Sequence, residues 1–316
     1  MDLWVHQLIN DDRSANTVRS YRSAIQHFLA WYLSEEQQPL TLDDLTPITL
    51  IGYRNHLQHD QTKATSTVNT RVAALRAWCV WLNENGYLPT NPAARLKTIG
   101  RQPPHAPKGL TDRQINALLR ETQRTRHACR DYALVQMMLQ TGMRVGECAA
   151  LNIEDIVFGE RSGSVIIRSG KGNKARTVPL NGSARQALAE YIAPALGVEI
   201  SLKVVAERWP HRSGSVPMSL WRSQKHHRLS AAAIRRMIDQ VVHACAQRRL
   251  VPESTSAHTL RHTFAMNYLK DNPGDLIGLA ALLGHSSLDT TRIYGQPTAE
   301  QLAVRVNRLS INAYGE

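Results

Sequence analysis

The sequence predicts a mainly α protein in two domains, with one small antiparallel sheet in the second. Three observations predict it. Apolar residues recur at i, i+3 and i+4 through most of the chain, the spacing that places them on one face of a helix. The stretch LKTIGRQPPHAPKG at 96–109 holds three prolines and two glycines, cannot continue a helix, and reads as a linker. Between 164 and 180 the helical period is lost, and two short β-like runs flank the glycine-rich GKGNK, which is a hairpin signal. At 316 residues and 42% hydrophobic content, the chain can furnish two cores.

The first domain is expected over 1–95. A helix over 14–33 can be capped by Ser14 or Asn16 and carries Val18, Tyr21, Ile25, Phe28, Leu29 and Tyr32 on one face. A second helix falls around 46–59. A third, over 65–85, aligns Val68, Val72, Leu75 and Leu82 and stops at Gly86, with Pro89 and Pro92 beyond. After the linker, the second domain is expected over 110–316. Thr111 caps a helix with Ile115, Leu118 and Leu119 on its face. An apolar helix over 130–142 ends at Gly142, and a short one follows over 146–151. The strands are placed at 164–168 and 176–180. Helices are then expected at about 183–193, 230–248, 258–271, 275–283 and 298–309. Residues 194–229, with three prolines and many Arg, His and Ser residues, read as irregular.

The net charge of +12 and pI near 9.9 favour a polyanionic partner. Residues 1–99 carry 9 basic and 9 acidic side chains, so the whole excess lies in 100–316. A basic amphipathic membrane anchor is absent from the sequence, and no apolar run reaches 18 residues. The start, MDLWVHQLINDD, lacks the apolar core of a signal peptide, so a cytoplasmic protein is expected. Cys79, Cys129, Cys148 and Cys245 form no CxxC pair and lie in apolar stretches, where buried reduced thiols are expected.

The chemistry is carried by five strings: TGMRVGE (141–147), SGKGNKARTVPL (169–180), HTLRH (258–262), LGHSS (283–287) and TTRIYG (290–295). They contain Arg144, Lys171, His258, Arg261, His285 and Tyr294. Two arginines, a lysine and two histidines can surround and neutralise a phosphate, because a guanidinium fork holds two phosphate oxygens and keeps its charge. A tyrosine can attack that phosphate. Rival readings are weaker. A P-loop needs Ser or Thr after its lysine, and Gly172 follows Lys171. His258 and His262 have zinc-ligand spacing, but Thr259 stands where a catalytic glutamate would follow the first histidine. Tyr314 is the other late tyrosine, and its surroundings match nothing. The pairs Arg235–Arg236, Arg248–Arg249 and His226–His227 read as a solvated face or as contacts to a DNA backbone.

In their order and spacing these strings resemble the tyrosine recombinase family, the phage-integrase and Xer-like enzymes that cut and rejoin DNA. The resemblance covers the second domain and, through Thr17, Tyr21 and Phe28, more loosely the first. It implies an α-helical core-binding (SAM-like) domain followed by an α+β catalytic domain. It implies a site-specific DNA recombinase that works through a 3′-phosphotyrosyl intermediate, with Tyr294 as nucleophile and no cofactor or metal. The lysine after the first glycine of the hairpin turn takes the acid role in the family, which selects Lys171 over Lys174. Helix 298–309 would dock on a neighbouring protomer, so that four copies join two DNA duplexes, with accessory proteins possible partners. Arg19, Arg22, Arg71, Lys174 and Arg176 are expected DNA contacts. No arm-binding domain is seen ahead of the first helices, which is the expectation for a layout other than that of lambda integrase. Two other classes remain open, a type IB topoisomerase-like DNA relaxing enzyme and a non-catalytic DNA-binding relative. The target sequence, the biological role and the function of 194–229 are not legible.

Overall fold

Capping and apolar spacing build the first of two compact units, Met1–Pro104 and His105–Glu316. The computed structural model describes residues 1–100, 109–168, 175–209, 218–285 and 288–295, together with Ala303, Val306 and Asn307. The first unit holds α1 (Asp2–Asn10), α2 (Ala15–Glu36), α3 (Pro47–Asn55) and α4 (Thr65–Glu84). Helix α3 runs on as a single wide turn over His56–Asp60. Ser14 caps α2 by accepting from the Thr17 N–H at 3.1 Å, and Thr46 caps α3 in the same way. Ile25, Phe28, Leu50, Tyr53, Leu57, Val72 and Leu75 are fully buried together, with the Phe28 and Tyr53 rings edge to face. Helix α1 has no counterpart among the expected elements. Trp4, Val5 and Leu8 bury it on this core, but its nine residues, Asp2–Asn10, follow an N-cap, Met1, that offers no capping side chain.

The second unit contains α5 (Asp112–Thr122), α6 (Ala128–Thr141) and α7 (Val145–Ala150). Strands β1 (Ile156–Phe158), β2 (Gly163–Ile167) and β3 (Arg176–Pro179) follow, then α8 (Gly182–Leu196), α9 (Leu202–Arg208), α10 (Ala231–Gln247), α11 (Ala257–Asp271), α12 (Leu276–Leu283) and α13 (Asp289–Gly295). Thr111 and Gln114 form a reciprocal capping box on α5. The strands pair antiparallel in the order β1-β2-β3, with Val165 opposite Val178 and Ile167 opposite Arg176. Val165, Ile167 and Val178 point into a core shared with Leu134, Met137 and Met138 of α6, Leu188 of α8 and Ile234 of α10. A smaller cluster of Ala265, Leu279, Leu283 and Tyr294 ties α11, α12 and α13 together.

Three expectations change. The sheet has a third strand, β1, too short at three residues to show a period. Residues 194–229 are not wholly irregular. Helix α8 continues through Pro194 to Leu196, and α9 follows, with Val205 fully buried and Trp209 stacked on Phe158 at 4.6 Å. Cys79, Cys148 and Cys245 are buried, but Cys129 is exposed near the start of α6. The hairpin tip with Lys171 and Lys174, and all of 298–309 apart from Ala303, Val306 and Asn307, lie outside the described residues.

Gly142 ends α6 in the left-handed region at φ 62°, and a Cβ there would run into Phe264 and Leu283. Gly142→Ala should therefore destabilise the protein. The backbone penalty alone is about 1–2 kcal/mol, and the steric conflict adds to it. Urea unfolding monitored by circular dichroism measures the loss.

Candidate active site

A buried carboxylate organises the site. Glu147 is the third residue of α7 and reaches back to the Arg144 N–H at 2.8 Å, the position of a helix-capping acid. The same carboxylate accepts from Arg144 Nη1 at 2.9 Å and, in a two-pronged bond, from Arg176 Nη1 and Nη2 at 3.0 and 2.8 Å. Burial alone would raise the Glu147 carboxyl. The hydrogen bond from Arg176, that from the Arg144 backbone and the charges of both arginines outweigh it and hold the carboxyl below its usual value.

Arg176 is therefore not the free DNA contact expected of it. Its guanidinium faces inward, with Nε donating to the Leu282 carbonyl at 2.9 Å. The reason lies in the sheet. Arg176 pairs with Ile167, the last register pair before the turn that joins β2 to β3, beside both α7 and the end of α12.

Arg261 is 2% exposed. It donates to the Gly142 carbonyl at 2.7 Å and the Leu283 carbonyl at 2.8 Å, the carbonyls at the C-terminal ends of α6 and α12. Helix C-termini carry partial negative charge, which suits a buried guanidinium. Burial, then Arg144, pulls the Arg261 pKa down to about 10, so it is still charged at neutral pH. Its Nη2 also faces His285 Nε2 at 2.8 Å. An arginine only donates, so Nε2 accepts and the His285 proton sits on Nδ1, which donates to Thr291 Oγ1 at 2.8 Å. Both nitrogens of His285 are thus engaged.

Tyr294 is 9% exposed, and its hydroxyl lies 2.7 Å from His262 Nδ1. Burial raises the phenol pKa, while Arg261 and then Arg144 work against the rise. His258 packs its ring edge to face on His262 at 4.4 Å, and burial, Arg261 and Arg144 lower its pKa. The structure thus brings Arg144, His258, Arg261, His285 and Tyr294 into one pocket. Lys171 falls outside the described residues.

Sequence reasoning missed Glu147, Arg176 as a pocket residue, and the approach of His262 to Tyr294. The glutamate had a signal, since an acid three residues after the first residue of a helix start is capping-box spacing. The other two depend on contacts across 29 and 32 positions.

Of the remaining expected DNA contacts, Arg19 and Arg22 are exposed on α2. Arg71 is half-buried on α4, bonded to His27 Nε2 at 2.9 Å, and lines a shallow recess with Ser20, Ser23, Ser66, Thr67 and Thr70. Among the described residues there is no group of three His, Cys, Asp or Glu side chains able to hold a metal. Among the same residues no helix is long and apolar enough to cross a membrane.

A helical first unit, a helical second unit with a three-stranded sheet, and an arginine-rich pocket around a tyrosine define the class of enzymes that break and rejoin DNA strands. Residues 108–301 match the phage integrase family, and residues 1–86 match the phage integrase N-terminal SAM-like domain. The chain is 30% identical to tyrosine recombinase XerC of Corynebacterium glutamicum, covering 96% of this chain and 92% of that protein. It is 31% identical to XerC of Myxococcus xanthus, covering 92% and 89%. Its fold matches a post-cleavage complex of XerH with a palindromic difH substrate at a TM-score of 0.70, 20% identity, and 94% and 81% coverage. It also matches a lambda integrase dimer bound to a COC′ core site at 0.69, 19% identity, and 93% coverage of both chains. The chain belongs to the phage integrase family and is a site-specific DNA recombinase of the tyrosine type.

Two predictions follow from the pocket's charges. Glu147→Ala leaves Arg144 and Arg176 facing each other without a counter-ion, one of them largely buried. The loss should be about 3–5 kcal/mol, read by urea unfolding.

The second concerns pH. Burial, then nearby positive charge, lowers His262 and His285 from 6.5 to about 4. Between those values the unfolded chain binds more protons than the folded one. The stability these rings contribute is therefore full above about pH 6.5 and lost as pH falls toward about 4. Thermal melts across this window should show Tm falling with pH, and His285→Asn should flatten the slope.

Proposed function

We propose that Tyr294 is the nucleophile of strand exchange on double-stranded DNA. Its Oη forms a bond to the scissile phosphorus as the P–O5′ bond breaks, leaving a 3′-phosphotyrosyl link and a 5′-hydroxyl. A 5′-hydroxyl from a partner duplex then attacks that link, and Tyr294 leaves. The phosphodiester energy is kept in the covalent link, so neither ATP nor a metal is called for. Arg144 and Arg261 bind the non-bridging oxygens and stabilise the charge that gathers there in the transition state. His258 contacts the phosphate beside them. His285 acts through Arg261, since both its ring nitrogens already have partners. Lys171, which precedes β3 in the sequence, gives its proton to the departing O5′. Arg19, Arg22 and Arg71 hold the DNA backbone from the first unit, and four copies bring two duplexes together.

The observation that carries this reading is the placement of the Tyr294 hydroxyl. Helix α13 delivers it into the pocket where Arg261 and Arg144 oppose the burial that keeps its proton on. Those are the charges a phosphate would need. The relatives, XerC recombinases at 30–31% identity over most of the chain, point the same way.

The test uses a pool of random-sequence duplexes, each nicked so that a cleaved end diffuses away. Wild-type protein should become covalently attached to DNA that survives denaturing gel electrophoresis, and sequencing that DNA identifies the target. Tyr294→Phe removes one oxygen and no charge. It should bind the recovered duplex as wild type does and form no adduct. An adduct formed by Tyr294→Phe would overturn the assignment.

A further inference from the structure

Phosphoryl transfer to Tyr294 requires that the phenol lose a proton, and the roles above leave that proton without a destination. Arg144 and Arg261 hold theirs, and His258, whose ring packs on His262, is assigned to the phosphate. His285 is closed on both sides by Arg261 and Thr291. Lys171 must enter the step protonated to serve the leaving oxygen.

We infer that His262, which rests on the proposed role of Tyr294, is the base that takes this proton. Its Nδ1 lies 2.7 Å from Oη, within reach of direct transfer. The residue is on α11, one position beyond Arg261, so the helix that anchors the phosphate-binding arginine also fixes the base. Tyr294 comes from α13, and the Ala265–Leu279–Leu283 cluster clamps the two helices at this separation.

The tautomer follows from acidity. Of the two groups in this contact, the phenol is the stronger acid, so it donates and Nδ1 accepts, with the ring proton on Nε2. The charged and titratable groups around the ring are His258 and Arg261 on its own helix and Tyr294 on α13. Burial, then His258 and Arg261, lowers the free ring to about 4 and keeps it neutral, so that Nδ1 has its lone pair free for the phenol. A phosphate bound at Arg261 brings a negative charge that offsets the arginine and raises the ring's proton affinity as attack begins. In the balanced step, the Oη–P bond forms and P–O5′ breaks. The phenolic proton passes to Nδ1, and the Lys171 proton passes to O5′. In the reverse attack His262 returns its proton to the departing Tyr294.

The test uses the full chain and the duplex recovered from the random pool, under single turnover. His262→Asn retains a hydrogen-bonding side chain but cannot hold the proton. It should cleave about 10²-fold or more slowly at pH 7, with duplex affinity unchanged. The ratio of wild-type to variant rate should shrink steadily as pH rises toward the phenol's own ionisation. A fluorinated tyrosine at position 294, whose phenol ionises near neutral pH without help, should restore most of the His262→Asn rate. Free imidazole should partly rescue His262→Ala. If the Ala variant fails to fold, the Asn variant and the fluorinated tyrosine decide the matter. A His262→Asn deficit that is constant between pH 6 and 10 and unrelieved by the fluorinated phenol would overturn the inference, because a support role depends on neither. So would a wild-type rate in His262→Asn. Failure of the nucleophile assignment is recognised separately, by an adduct in Tyr294→Phe.

Discussion

The pocket must hold several permanent positive charges close together and partly away from water, before any phosphate arrives to neutralise them. Two guanidiniums at 4 Å repel by roughly 4 kcal/mol in the effective dielectric near a protein surface. Glu147 is the answer to this constraint. One carboxylate, 7% exposed, faces both Arg144 and Arg176 and also caps the helix that carries it. It links α7 to β3, and so holds Arg144 beside Arg176. Arg144 remains the outward member, with 43% of its side chain exposed against 11% for Arg176. The bridge thus divides the labour. Arg176 is an internal tie, and Arg144 keeps surface to present to a ligand.

Arg261 meets the same constraint by other means. Among the described residues no carboxylate is ion-paired with it, and it relies on carbonyls at the ends of α6 and α12 and on a neutral histidine. Both helices stop at a glycine in the left-handed region, Gly142 and Gly284. The turn there frees carbonyls that would otherwise belong to a longer helix. At Gly284 a Cβ would also lie 2.6 Å from Arg176 Nη1. These glycines therefore serve the pocket as much as the helices.

Neutrality of the histidines completes the arrangement. His285 can accept from Arg261 only while its Nε2 is unprotonated, and His262 can accept from Tyr294 only while Nδ1 is unprotonated. Burial and the surrounding cations enforce both conditions. The positive charges of the pocket thus also keep the rings in the form that accepts a hydrogen bond from an arginine and from a phenol.

The sequence by itself determined the helical periods, the helix ends at Ser14, Thr111 and Gly142, the hairpin flanking 169–174, and the six-residue constellation whose order identifies the family. These are local or ordered signals, set by capping geometry, side-chain spacing and the chemistry of a few residue types. It did not determine which cations face out. Arg176 and Arg144 look equivalent along the chain, and only the pairing of β3 with β2 beside α7 turns one inward. The helix start at Leu202 is hidden by its short length and mixed composition, and α9 exists because Val205 and Trp209 find a core made by Phe158 and its neighbours. The closeness of His262 to Tyr294 is tertiary as well. Thirty-two residues separate them, and the packing of α13 against α11 through Leu279 and Leu283 brings the ring nitrogen to the hydroxyl.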